Sequence, residues 1–217
     1  MPIRAVICDF GGVLTSPLAH AFNAFEHHMG IAPAQLGEAM RAGAADLDGA
    51  NPLFELECGR ISEQRFLEVL GGRLTPMLGR EPELGGFSRR FFEALDPNEP
   101  MIELMASLRD RGQQMAMLTN NVREWEPLWR PFLPVDEIFE TVVDSGFVGM
   151  RKPEPEIYQL TVSRLEGIEA NQCLFVDDMD INCMAARELG MGAVHFEHNE
   201  QAIADIESAL TWDGRNE

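Results

Sequence analysis

Three short, unbroken apolar runs constrain this chain most: residues 5–8 (AVIC), 115–118 (MAML) and 173–176 (CLFV). A strand with one wet face alternates apolar and polar residues. These runs do not, so both of their faces must be buried, as in central strands of a parallel sheet covered by helices on each side. Each run is followed at once by a polar residue, Asp9, Thr119 or Asp177. In an open parallel sheet, residues just past the carboxyl ends of the strands share one crevice, and ligands bind there. Positions far apart in the chain are therefore expected to meet in one pocket.

Between the first two runs the texture changes. From about residue 16 to about residue 95 no convincing strand pattern occurs. Phe22, Met29, Leu36, Met40, Phe66 and Leu70 recur at mostly helical spacings, and Ser62 reads as a helix N-cap. This segment is expected to be a helical subdomain inserted after the first strand. Strand and helix then alternate. Asn98 is expected to cap a helix that ends before Gly112, and a strand at 115–118 follows. Next come a Trp-rich helical stretch around 125–132, a strand at 141–143 and a helix over 155–165 that Gly167 closes. A strand at 173–176, a helix over 181–189 and a strand at 193–196 complete the series. Such alternation implies a parallel α/β sheet.

Composition narrows the function. The 217 residues carry a formal net charge of −19, which excludes nonspecific nucleic-acid binding, since that needs a basic footprint. The same charge repels an anionic substrate, so an anion site must be locally positive or hold a cation. No apolar run approaches the ~20 residues that cross a bilayer, and the first residues do not read as a signal peptide. Neither a membrane nor a nucleic acid is an expected partner. Four cysteines, at 8, 58, 173 and 183, show neither CxxC spacing nor the density of a disulfide scaffold, which suits a reducing cytoplasm. The oligomeric state is left open.

Asp9 precedes two glycines that let backbone approach a ligand closely. A carboxylate there is a nucleophile, a metal ligand or a turn cap. Asp177 and Asp178, adjacent past another strand, repel each other unless a cation neutralises them. With Asp9 they form an all-oxygen set suited to Mg²⁺. Zinc is not expected, because no His or Cys cluster has ligand spacing, and four of the five histidines, at 27, 28, 195 and 198, carry no expected role. Thr119 and Asn120 offer a hydroxyl and an amide to phosphoryl oxygens. Lys152, in a segment held by the prolines at 153 and 155 just before a helix, is expected to face the carboxylates, keep Asp9 ionised and stabilise a transferring phosphoryl group.

In this order, Asp9, Thr119, Lys152 and Asp177-Asp178 resemble the four motifs of the haloacid dehalogenase-like hydrolases. The stretches LTNN (118–121), VGMRKPEPEIY (148–158) and VDD (176–178) are most similar to the amino-terminal phosphatase domain of soluble epoxide hydrolases. The resemblance implies a Rossmann-like core, residues 1–15 and 96–217, with a helical cap, residues 16–95, inserted after the first motif. It also implies an Mg²⁺-dependent phosphatase of a small phosphorylated metabolite. Asp9 would form an aspartyl-phosphate, Asp9, the Gly11 carbonyl and Asp178 would hold the metal with Asp177 beside them, and Thr119, Asn120 and Lys152 would bind the phosphoryl group. One position departs from the pattern. Phosphatases of this family carry an acid/base aspartate where this chain has Gly11, and a positioned acid contributes ~10²–10⁴-fold. Substrates with good leaving groups are therefore expected. The alternative is a catalytically weak phosphate-binding protein; a dehalogenase fits less well, because the paired aspartates are intact.

Overall fold

The three apolar runs lie side by side. In the computed structural model, which describes residues 2–211 apart from the side chains of residues 24 and 25, they are the inner strands of one sheet. The strands are β1 (Ala5–Cys8), β2 (Gln114–Thr119), β3 (Thr141–Asp144), β4 (Cys173–Asp177) and β5 (Gly192–His195), in the order β3-β2-β1-β4-β5. Every pairing is parallel. Side chains of a strand alternate between the two faces of the sheet. Val6, Cys8, Met115, Met117, Leu174 and Val176 accordingly enter one apolar cluster, and Ala5, Ile7, Ala116, Leu118, Cys173 and Phe175 the other. Unbroken apolarity in these runs thus follows from burial on both sides, and the expected α/β architecture is what forms.

Five helices fill the segment after β1: α1 (Ala19–Met29), α2 (Pro33–Gly43), α3 (Pro52–Glu57), α4 (Glu63–Leu78) and α5 (Phe87–Glu93). Ser62 caps α4 by accepting a hydrogen bond from the Arg65 N–H. Leu56, Phe66, Leu70, Phe87 and Phe91 from these helices belong to the same apolar cluster as Val6 and Cys8, so the segment leans on one face of the sheet. The chain leaves and returns at one place, where Thr15 and Pro97 form an antiparallel bridge.

The rest alternates through α6 (Glu99–Asp110), α7 (Glu126–Trp129), α8 (Val135–Ile138), α9 (Ser145–Val148), α10 (Pro155–Ser163), α11 (Asp180–Glu188) and α12 (Asn199–Thr211), of which α8, α9 and α12 go beyond the elements expected. One expectation fails: the side chain of Asn98 makes no capping bond to α6. A cap bonds the N–H of the second or third helical residue; Pro100 in second place has none, and the N–H of Met101 in third place goes to the Asn98 main-chain carbonyl (3.1 Å). The Asn98 amide instead donates to the Val13 carbonyl (2.7 Å) and to Asn199 Oδ1 (2.8 Å), tying the loop after β1 to α12. The Trp-rich stretch is also broken into short turns by Pro127 and Pro131.

Side chains reach the carbonyls at both outer strands. Arg187 donates to Ala193 O (3.0 Å) and Gln201 to His195 O (3.1 Å) on β5, while Arg164 donates to Val142 O (3.4 Å) on β3. All four cysteines are buried and free. Among the described residues, no helix is long and apolar enough to cross a membrane.

Candidate active site

The carboxyl ends of β1, β2 and β4 bring Asp9, Thr119 and Asp177 to one edge of the sheet, because these strands pair in register as neighbours. Thr119 and Asp177 are the last residues of their strands, while Asp9 stands just past β1 and donates its N–H to the Val176 carbonyl (2.9 Å). Asp9, Asp177 and Asp178 each place a carboxylate oxygen within 4.8 Å of the others.

Lys152 enters from the loop before α10. Its ammonium lies 2.7 Å from Asp9 Oδ1 and 2.6 Å from Asp177 Oδ2, with its side chain only 1% exposed. Asn120 holds the main chain of this lysine from both sides, accepting from Lys152 N (2.8 Å) and donating to Lys152 O (3.0 Å). The amide expected to face phosphoryl oxygens is therefore turned toward the lysine. Asp177 is fully engaged as well. Its Oδ2 takes the lysine, and its Oδ1 accepts from Met179 N (2.8 Å) and Asn182 Nδ2 (2.9 Å). Asp9 Oδ1 also accepts from Phe10 N (2.7 Å).

Two glycines shape the loop after Asp9. Gly12 has φ +81°, and a Cβ there would lie 2.3 Å from Asp178 Oδ2, so its bare backbone leaves the room that the Asp178 carboxylate occupies. At Gly11 a Cβ would meet Leu18 Cδ2 at 3.3 Å. The space where an acid/base side chain would begin is thus bordered by an apolar one.

Charge balance decides what this cluster can hold. Burial, the largest influence, pushes the Asp9 carboxyl up to about 8, and Asp177 and Asp178 add to it against the pull of Lys152. Asp178 is pushed up to about 6, first by burial and then by Asp177. Burial disfavours the charge on Lys152, but Asp177 and Asp9 outweigh it and raise its pKa. Were all three carboxylates ionised, one ammonium would leave two negative charges uncompensated. A divalent cation with oxygen ligands fits that deficit, and the donor set suits Mg²⁺.

Several contributors are not evident from motif spacing. His195 Nε2 lies 3.0 Å from the Asp178 carbonyl and must donate there, because a carbonyl only accepts. Tyr158, buried in α10, donates to Asn182 O (3.1 Å) behind Asp177. Arg151, next to the lysine, pairs with Glu57 of α3 at 2.8 Å, and its guanidinium sits 3.8 Å over the ring of Phe54. One signal was available: Lys152 is the only lysine among 217 residues, whereas arginine supplies every other side-chain cation. A chain that uses arginine everywhere else keeps a compact ammonium where a planar fork would not fit between two buried carboxylates. A surface groove of about 920 Å³ along β5 and α12 is lined by His195 but by none of Asp9, Thr119, Lys152, Asp177 and Asp178. Convergent carboxylates and a buried lysine, not cavity size, mark the site.

Residues 3–190 match the family model described as haloacid dehalogenase-like hydrolase. Over 211 residues the chain is 30% identical to acyl-CoA dehydrogenase family member 10 of Mus musculus, a match covering 95% of this chain and 19% of that protein. It is 25% identical over 227 residues to bifunctional epoxide hydrolase 2 of Sus scrofa, covering 95% of this chain and 39% of that protein. The chain thus spans less than half the length of these two relatives. A flavin mononucleotide hydrolase of Arabidopsis thaliana is 29% identical over 152 residues, 70% of this chain and 59% of that protein. Among solved structures, a HAD family enzyme of Bacteroides thetaiotaomicron in complex with magnesium and inorganic phosphate has a TM-score of 0.64 at 24% identity, covering 88% of this chain and 93% of that one. An L-2-haloacid dehalogenase of Xanthobacter autotrophicus has a TM-score of 0.61 at 20% identity, covering 88% and 76%. At these identities the two structures bear on the fold alone.

Proposed function

Because the chain belongs to the haloacid dehalogenase-like hydrolases, we propose that it is an Mg²⁺-dependent phosphatase of a small phosphorylated metabolite, working through an aspartyl-phosphate on Asp9. One observation carries this reading: three carboxylates within 4.8 Å of one another, with Lys152 bridging two of them. Residues 1–15 and 96–217 serve as the hydrolase core and residues 16–95 as its cap. The four buried free thiols suit a reducing cytoplasm.

Asp9 Oδ1 is held by Lys152 and Phe10 N, which fixes the carboxylate and leaves Oδ2 as the attacking oxygen. As the Asp9 oxygen–phosphorus bond forms, the phosphorus–leaving-group bond breaks. Lys152, Thr119 and the remaining amide hydrogen of Asn120 stabilise the phosphoryl oxygens. Water then attacks phosphorus, releasing inorganic phosphate and returning Asp9 to its carboxylate. Mg²⁺ held by Asp9, Asp178 and the Gly11 carbonyl, with Asp177 beside them, would neutralise phosphoryl charge. Flavin mononucleotide, named for one relative, is itself a phosphoric monoester and belongs in the first substrate panel.

No side chain at position 11 can protonate the leaving group, and Leu18 offers none. Aryl and acyl phosphates are therefore preferred over alkyl phosphates. Release of p-nitrophenol from its phosphate, measured with and without Mg²⁺, is the test: activity should need the metal and vanish in Asp9→Asn. Activity untouched by that substitution would overturn the reading. The apolar border of Gly11 also favours a second reading, a protein that binds phosphate but turns it over poorly. Trapping of a long-lived phosphoryl-enzyme from acetyl phosphate would support it, and brisk turnover of any metabolite would end it.

A further inference from the structure

The geometry points to Arg151, Glu57 and Phe54 as a positioning strap, by which the segment inserted after β1 sets the place and access of Lys152. The proposal rests on the phosphatase reading only for its catalytic consequence. The loop that carries the lysine is gripped from two sides. On the sheet side, Asn120 takes both main-chain groups of Lys152. On the other side stands the short helix α3 with the turn that follows it. There, Arg151 Nε donates to Glu57 Oε2 at 2.8 Å, with both side chains 15% exposed. Phe54, one helical turn from Glu57, has its ring centroid 3.8 Å from the same guanidinium carbon.

Two further contacts show that the approach is close. Arg60 donates to Gly149 O at 3.2 Å. Gly59, at φ +62°, leaves no room for a Cβ, which would stand 2.4 Å from the Gly146 carbonyl. The Glu57 carboxyl is raised by burial and drawn down by Arg151 and, more weakly, by Lys152, which places it within reach of the lysine's field. Arg151 touches no reacting atom. It acts on Lys152 through one peptide bond, as a positioning residue.

An ion pair this buried is worth little net when complete, but losing one partner strands a charge. Removing Glu57 or Arg151 should therefore release the loop rather than merely weaken it. Lys152 is the only source of an ε-amine, so its exposure can be read chemically without background. Limited acetylation with acetic anhydride, followed by mass spectrometry of the peptide containing Lys152, gives its rate relative to the amino terminus. Arg151→Gln and Glu57→Ala are each expected to speed that acetylation at least about tenfold and to lower kcat for p-nitrophenyl phosphate more than they raise KM. The double variant Arg151→Gln/Glu57→Gln, which strands no charge, should recover part of both effects. Arg73→Gln breaks the Arg73–Asp46 pair, which joins two parts of the same inserted segment to each other rather than to the loop, and should leave the acetylation rate unchanged.

Thermal unfolding of every variant separates release of the loop from general loss of fold. The proposal is overturned if folded Arg151→Gln and Glu57→Ala acetylate like the parent, or if Arg73→Gln accelerates acetylation as much as they do. Because acetylation needs no turnover, accelerated labelling in an inactive parent would leave the strap standing and refute the phosphatase reading instead.

Discussion

Gly12 is where a single atom should matter most. Its φ of +81° and the 2.3 Å between a notional Cβ and Asp178 Oδ2 mean that Gly12→Ala must displace the carboxylate or the loop. We expect that variant to lose about 1–3 kcal/mol of stability, the usual cost of a strained backbone position. Its half-saturating Mg²⁺ concentration, followed by thermal shift, should rise at least tenfold. At the neighbouring glycine the obstacle is a side chain. Gly11→Asp alone has to push Leu18 aside, whereas Gly11→Asp with Leu18→Ala opens the space. The paired variant should raise the rate on alkyl relative to aryl phosphates more than the single one does, as ratios of kcat/KM would show. Lys152→Met removes the only cation between Asp9 and Asp177. Stranding buried charges in this way costs about 3–5 kcal/mol, so the unfolding midpoint in urea should fall accordingly.

At the scale of elements, β3 ends on a carboxylate that folding disfavours. Asp144 accepts from Gly146 N (2.8 Å) to start α9, yet its other oxygen is buried with no partner among the described residues. Burial raises its pKa to about 6 from 3.8, with Gly146 and Arg123 opposing and Glu126 adding to the rise. The folded state then binds this proton more tightly than the unfolded one. Stability from this group is greatest below pH 4, falls as pH rises to about 6 and is flat above, a loss of roughly 2–3 kcal/mol. Asp144→Asn should lack that component, measurable as the difference between the two proteins' unfolding free energies across pH 4–7.

The same scale shows what the sequence made legible. Continuous apolar runs identified β1, β2 and β4 because both faces of each are buried, and Ser62 announced the start of α4 because its hydroxyl has a free N–H to accept from. Asn98 misled because Pro100 has no N–H and that of Met101 goes to the Asn98 main-chain carbonyl, leaving the side chain none to cap. Asp9, Thr119, Lys152 and Asp177 were legible as strand-end and loop positions. The turn of Asn120 toward Lys152, the hold of His195 on Asp178 and the reach of Glu57 to Arg151 were not, because each joins side chains from separate elements and leaves no periodic trace.

For the molecule as a whole, a net charge of −19 and three carboxylates gathered round one ammonium would make a divalent cation a stabilising ligand. At a hundred times its dissociation constant a ligand contributes about 2.7 kcal/mol, or several degrees in Tm for a chain of this size. Mg²⁺ should give such a rise in the parent and little in Asp178→Asn; an equal rise in both would mean that the ion sits elsewhere. The outermost strands bear on a different property. Outer strands ordinarily offer a row of bare main-chain groups to whatever chain drifts past. Here Arg187 and Gln201 occupy carbonyls on one flank of the sheet and Arg164 one on the other. A stray strand would have to evict guanidinium and amide groups before it could pair, so fibre-like growth from either flank meets a barrier built into ordinary side chains.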